Sequence, residues 1–240
     1  MTAASLQATL LGFLLLPLAA PAQRLEALGL GYHFTLGQTW ARQRRIQVEE
    51  YVIETDTDAS RTDDTGDRFS AFARFGLGAG RWFAQPELAY TSVLGQQSSI
   101  AYYPTATAPY PQTVSYLYPR LRRAEVALLA GRHLGKRLHL LAGPVLALHR
   151  RQSSADYPTQ LQPLYGSLFA ATRPVQLLGQ VGLGLQLWRF ELSARYEHSL
   201  TPFTQSFTYQ QQTYAYHQRT SQFMLGLALL VYDRHRPWRP

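Results

Sequence analysis

Arginine and glutamate recur in this chain as pairs of opposite sign: Arg74 and Glu87, Arg123 and Glu125, Arg189 and Glu191, Arg195 and Glu197. Three of the pairs are two residues apart. In an extended strand such residues point to the same face, so each pair can set a cation beside an anion. Two chemistries are open to these eight groups: a narrow path for ions or small solutes, or an ion-paired filling for a closed interior. About eight strands enclose a space that side chains nearly fill, so the set is read as a structural charged cluster inside a barrel.

Other reactive residue types offer less. His198 and Ser199 follow Glu197, and a histidine that takes a serine proton would make an ester hydrolase acting on an outer-membrane lipid such as lipid A. Neighbours on a strand point to opposite faces, however, so His198 and Ser199 cannot easily meet. His33, His133, His139, His149, His217 and His235 lack the i, i+2 spacing that stacks two metal ligands on one face. Gly76 to Gly80 precedes no helix and reads as a turn, not a phosphate cradle. No catalytic, cofactor-binding or metal-binding residue is assigned, and no cofactor is expected. Arg120, Leu121, Arg122 and Arg123 can grip anionic headgroups where a strand meets a loop.

The elements that must position the charges are strands. From Val175 to Gln186 the odd positions are apolar, Gly179 apart; from Arg189 to Glu197 the even ones are. That swap of parity is what a hairpin with a two-residue connection requires, and a turn at Leu187–Trp188 would pair Gln186 with Arg189 and Leu185 with Phe190. The strands are about as long as those that cross a bilayer. Further alternating runs cover Leu28–Leu36, Phe69–Leu77, Trp82–Tyr90, Arg123–Ala130, Leu138–His149 and Ser221–Tyr232. Pro86 lies inside one of them and cannot donate to a ladder, which predicts a local bulge. Short turns alternate with polar stretches at 38–67, 95–118, 150–173 and 200–218, all read as long loops, with Ile46–Ile53 able to extend the first strand. Tyr- and Ser-rich loops suit a glycan or protein partner.

Composition agrees. Leu10–Leu18 is an apolar run followed by Ala20-Pro21-Ala22, a small-x-small cleavage pattern, so residues 1–22 read as a signal peptide and 23–240 as the barrel domain. Mean hydropathy is only −0.20, as expected where lipid-facing and inward-facing residues alternate. Cysteine is absent, which excludes disulfides and thiolate metal sites. A net charge of +8 on an exported chain points to anionic lipid or lipopolysaccharide rather than nucleic acid. Fifteen tyrosines and four tryptophans suit aromatic girdles at two membrane surfaces. A soluble two-sheet sandwich would also alternate, with its charged face outward.

Three stretches resemble the PorT-like family of small outer-membrane barrels of Bacteroidetes: Gln85 to Thr91, Ala142 to Leu146, and Phe190 to Leu200. The chain departs from that family at Ala124-Glu125-Val126-Ala127, where a Leu-Glu-Ile-Pro-like stretch is common. The resemblance implies an eight-stranded barrel in a Gram-negative outer membrane and little about function. The expectation is therefore an all-β, eight-stranded antiparallel transmembrane barrel, non-enzymatic, with a structural or surface-interaction role. A lipid A-modifying hydrolase and a narrow solute channel are the alternatives.

Overall fold

Side-chain alternation governs which residues meet, and the strands it produces follow one another with few interruptions. The computed structural model describes residues 23–41, 45–55, 64–78, 81–94, 98–104, 110–117, 120–150 and 161–234. Residues 1–22, where a signal peptide is expected, the acidic loop tip and the basic tail beyond Arg234 lie outside those residues. In chain order the strands are β1 Gln23–Ala41, β2 Arg45–Val48, β3 Tyr51–Thr55, β4 Asp64–Leu77, β5 Trp82–Leu94, β6 Ser98–Tyr102, β7 Thr113–Leu117, β8 Arg120–His133 and β9 Leu138–His149. A helix α1, Gln162–Ala170, precedes β10 Val175–Leu187, β11 Phe190–Ser199, β12 Phe207–Tyr209, β13 Gln212–Tyr214 and β14 Gln218–Asp233.

Eight of these strands close into one antiparallel barrel, in the order β1-β14-β11-β10-β9-β8-β5-β4. The first and last strands zip together, Tyr32 opposite Leu227 and Leu36 opposite Phe223. Closure leaves no free edge, the arrangement in which every strand of the ring can satisfy its backbone on both sides. Extra residues bulge the ladder at Glu26 in β1 and at Val231 in β14.

The outer wall is apolar and the lumen mostly not, the reverse of a water-soluble barrel. Leu30, Phe69, Leu88, Leu140, Val181, Leu192 and Leu225 are exposed on the outside, as large hydrophobics are only when lipid or a partner covers them. On β8 this belt runs from Ala124 to Ala130, between Arg122 above and Arg132 below. Ten residues of extended strand span about 33 Å, and tilt reduces that to about 25 Å across, the height of a barrel's lipid-facing band. Below the belt Arg132 lies over the Trp82 ring at 5.5 Å, pairing a cation with an interfacial aromatic.

Three local expectations are corrected. The β10–β11 turn is Trp188–Arg189, so Leu187 meets Phe190 and Gln186 meets Glu191. This register differs from the expected one by two residues, which keeps every side chain on its face. Trp188 takes the positive φ (57°) of the turn's first central position. Pro86 makes no bulge: β5 keeps one register against β8 through Pro86–Leu128, and against β4 the pairings on either side of it stay in step. The missing donor shows instead as a gap in the β4 ladder, whose pairs opposite Pro86 and Gln85 are absent before it resumes in the same register at Phe75–Ala84. Finally, the polar stretches are not plain loops.

Those stretches form a second layer beyond one mouth of the barrel. β2, β3, β6 and β7 make a four-stranded sheet, β12 and β13 a hairpin, and α1 packs with them. Ile46, Val48, Ile53 and Ile100 from the sheet bury against Leu164, Tyr165, Leu168 and Phe169 of the helix and against Phe207 and Tyr216. Pro163 opens the helix, where a missing N–H costs nothing. The ring of Phe207 stacks on Tyr214 at 5.4 Å and meets Tyr216 edge-on at 5.8 Å.

Candidate functional site

The lumen is organised by which strand contributes which parity. On β4, β5, β8 and β11 the inward positions carry Arg68, Arg74, Glu87, Arg123, Glu125, Glu191, Arg195 and Glu197, all buried. Seven of them belong to the cluster expected from sequence; Arg68 does not. Arg68 is the hub of the upper part, donating from Nη1 to Glu87 at 2.7 Å and from Nε to Glu125 at 2.8 Å. Arg123 reaches Glu125 at 2.6 Å and also bonds Glu197. Arg195 donates to both oxygens of Glu87 at 2.9 Å. Lower down, Arg74 holds Glu191 at 2.9 Å and the side-chain Oε1 of Gln85 at 2.8 Å.

Four guanidinium groups thus face four carboxylates, and each carboxylate accepts from at least one of them. Ion pairs removed from water need hydrogen bonds to both members, and neutral partners supply some of them here, while Arg68 Nη2, Arg195 Nε and Glu197 Oε2 make no hydrogen bond among the described residues. Thr91 donates to Glu125 at 2.6 Å, Gln222 to Glu197 at 2.9 Å, and Gln85 to Glu87 at 3.2 Å. His139 lies 3.3 Å from Glu191. Arg189, also in the expected cluster, is buried at the turn end of the barrel, where its carbonyl accepts from Leu230 at 2.8 Å.

The interior is not polar throughout. Ala127, Leu129, Leu141, Val145, Ala147 and Leu178 form an apolar cluster on the β8–β9–β10 side, so those walls are greasy on both faces. Phe83 closes the turn end, with the Arg74 guanidinium 4.8 Å from its ring centre. At the other end Phe203 packs with Val93 and Leu121. Its segment is tied down by Arg173 N–H to Phe203 O at 2.7 Å and Phe203 N–H to Gln218 O at 2.9 Å. A small recess of about 10 Å³ is lined by Thr39, Leu121, Arg123 and Gln222. Filled by side chains from end to end, this lumen can hold charges still but has little room to pass solute.

His198 and Ser199 are separated as strand geometry demands. Ser199 is buried, accepting from Gln176 Nε2 at 2.7 Å and from the Thr220 N–H at 2.8 Å. His198 is on the other side of β11, its Nδ1 3.0 Å from Ser221 Oγ, a serine contributed by β14. No group of three or more histidines, aspartates and glutamates could hold a metal among the described residues.

Gln85 to Thr91, Ala142 to Leu146 and Phe190 to Leu200 fall on β5, β9 and β11, the last running one residue past the end of β11. No protein-family model matches the chain, and no curated protein does. Among solved structures the chain is similar to the outer membrane protein OprG from Pseudomonas aeruginosa, with 10% identity, a TM-score of 0.46, and 88% of this chain against 98% of that one. It is similar to Ail, the attachment invasion locus protein of Yersinia pestis in complex with sucrose octasulfate, with 10% identity, a TM-score of 0.42, and 85% of this chain against 99% of that one. The outer membrane protein AlkL in lipid bilayers gives 7% identity, a TM-score of 0.34, and 92% of this chain against 97% of that one.

Proposed function

We propose that the chain is an outer-membrane protein of structural or surface-interaction type, exported by a signal peptide over residues 1–22, whose barrel is a sealed stand for a folded outer layer. One observation carries this reading: the Arg–Glu network and the rings at either end fill the lumen, and the elaborated part of the molecule lies beyond it. The cluster's role is then to set the barrel's cross-section and register. Outer-leaflet lipid and lipopolysaccharide are the partners of the wall, and a protein or glycan is the partner of the outer layer. Nothing in this role needs catalysis or a cofactor.

Two measurements test it. Detergent-extracted protein should migrate faster on a gel before boiling than after, because a closed ladder resists SDS until heated. In planar bilayers the same preparation should give no persistent single-channel steps. Stable steps would make the protein a solute channel.

One contact favours a second reading, a lipid hydrolase. His198 meets Ser221 on the lipid-facing wall near the outer mouth, a histidine–serine pair that the sequence did not place together. No carboxylate orients His198 among the described residues, and Ser221 is only 5% exposed, so the pair lacks the third member and the access that acyl transfer needs. Mass spectrometry of lipid A from cells expressing the wild type, Ser221→Ala or Ser199→Ala should show identical acylation.

A further inference from the structure

Where β8 emerges above the belt its outward side chains become basic. Arg122 and Arg120 occupy the two outward positions beyond Ala124, and both are exposed. Arg150 follows β9 directly and is also exposed. The β8–β9 register that pairs Arg123 with His149 sets Arg150 opposite Arg122, and the Arg150 N–H donates to the Arg122 carbonyl at 2.9 Å. Two arginines directly opposite on one face repel, and among the described residues neither is paired with a carboxylate.

The neighbouring row sharpens the point. On β5, Ser92 is opposite Arg122, and its Oγ accepts from Arg120 Nε at 3.1 Å. The carboxylate in line with them, Asp67 on β4, is one strand further away and accepts from the Tyr32 hydroxyl. One outward row lower come Tyr90, Ala124 and Leu148, where the apolar belt begins. The three guanidinium groups therefore stand at the depth of the polar headgroups, in contact with acyl chains below and water above. A guanidinium fork matches a phosphate's oxygens and gains most where water is partly excluded.

We propose that Arg122, Arg150 and Arg120 form a binding site for the phosphomonoester of an outer-leaflet glycolipid of the lipid A type, whose acyl chains lie along β5, β8 and β9. The occupant is a lipid rather than free phosphate because the site opens sideways onto the belt, not into the lumen. This rests on the outer-membrane reading above. The phosphate removes the Arg122–Arg150 repulsion and so holds the β8–β9 pair at its outer end.

The test reconstitutes the full-length protein into vesicles of phosphatidylethanolamine with hexa-acyl lipid A, either bisphosphorylated or enzymatically dephosphorylated. The temperature at which the unboiled gel band is lost is the readout. Phosphorylated lipid A should raise the wild-type midpoint by about 3 °C over the dephosphorylated form. Arg122→Gln with Arg150→Gln should abolish that difference while leaving the midpoint in dephosphorylated vesicles no lower than the wild type's. Lysine at both positions should retain part of it. Equal midpoints in the two lipids for an inserted wild type overturn the site alone, as does an equal rise from inorganic phosphate or from phosphatidylglycerol. Failure to give any heat-modifiable band overturns the membrane reading and the site with it.

Discussion

At the scale of single residues the molecule depends on charges that are each held by more than one partner. Glu87 keeps Arg195 if Arg68 is lost, and Glu125 keeps Arg123. Among the described residues Glu191 pairs with Arg74 at 2.9 Å and has His139 at 3.3 Å. The network should therefore respond unevenly. Arg74→Met leaves a buried carboxylate on a histidine alone and should cost about 3 kcal/mol in urea unfolding from detergent, the range for a broken buried pair. Adding Glu191→Leu removes the stranded charge, so the double variant should recover most of that loss. A double variant as unstable as the single one would mean that the pair itself, not the stranded anion, sets the penalty. Arg68 shows why part of this site was hidden in the sequence. It shares parity with Arg74, but the acidic run before Phe69 reads as loop, and only the real extent of β4, from Asp64, puts Arg68 in mid-strand.

Among the elements, the barrel strands were legible because lipid on one side and packed side chains on the other impose a period of two that nothing else disturbs. Turn positions were less so, since a shift of two residues preserves every face and leaves the pattern unchanged. The inward glycines were read only as polar-face residues, and the structure gives some of them a use. A Cβ at Gly226 would run into the His33 ring, 2.6 Å from Nε2. Gly226→Ala should therefore destabilise the barrel by about 1–3 kcal/mol, as overpacking does. At Gly179 the nearest atom to such a Cβ is Leu200 Cδ1 at 3.7 Å, so Gly179→Ala should stay within about 0.5 kcal/mol. Thermal loss of the unboiled gel band measures both. The helix α1 escaped the sequence reading for a plainer reason: it is nine residues long, has no acidic residue in its first turn and lies in the stretch 150–173 that reads as a polar loop.

The whole molecule has two interiors made on different terms. One is a ring whose greasy side chains face outward; the other is an ordinary hydrophobic core facing water on its far side, built from Ile46, Val48, Ile53, Ile100, α1 and Phe207. Sequence could announce the first because each strand carries its own pattern. It could not announce the second, because no single connecting segment contains enough apolar residues to bury a face, and the strands β2, β3, β6 and β7 are short. The two should fail separately. Tyr165→Ala empties a fully buried position in the outer core and should open the outer layer to trypsin on intact cells, cutting after Arg45 or Arg173, while the unboiled gel mobility stays that of the wild type. Loss of both together would make the outer layer part of the barrel's own stability.

The sheet beyond the mouth draws its strands from two connections, its helix from a third and its hairpin from a fourth. Its hairpins can each pair alone, but the core they share with the helix is complete only when the ring brings the four exits within reach of one another. The surface a partner would meet is thus assembled in full only on a finished ring.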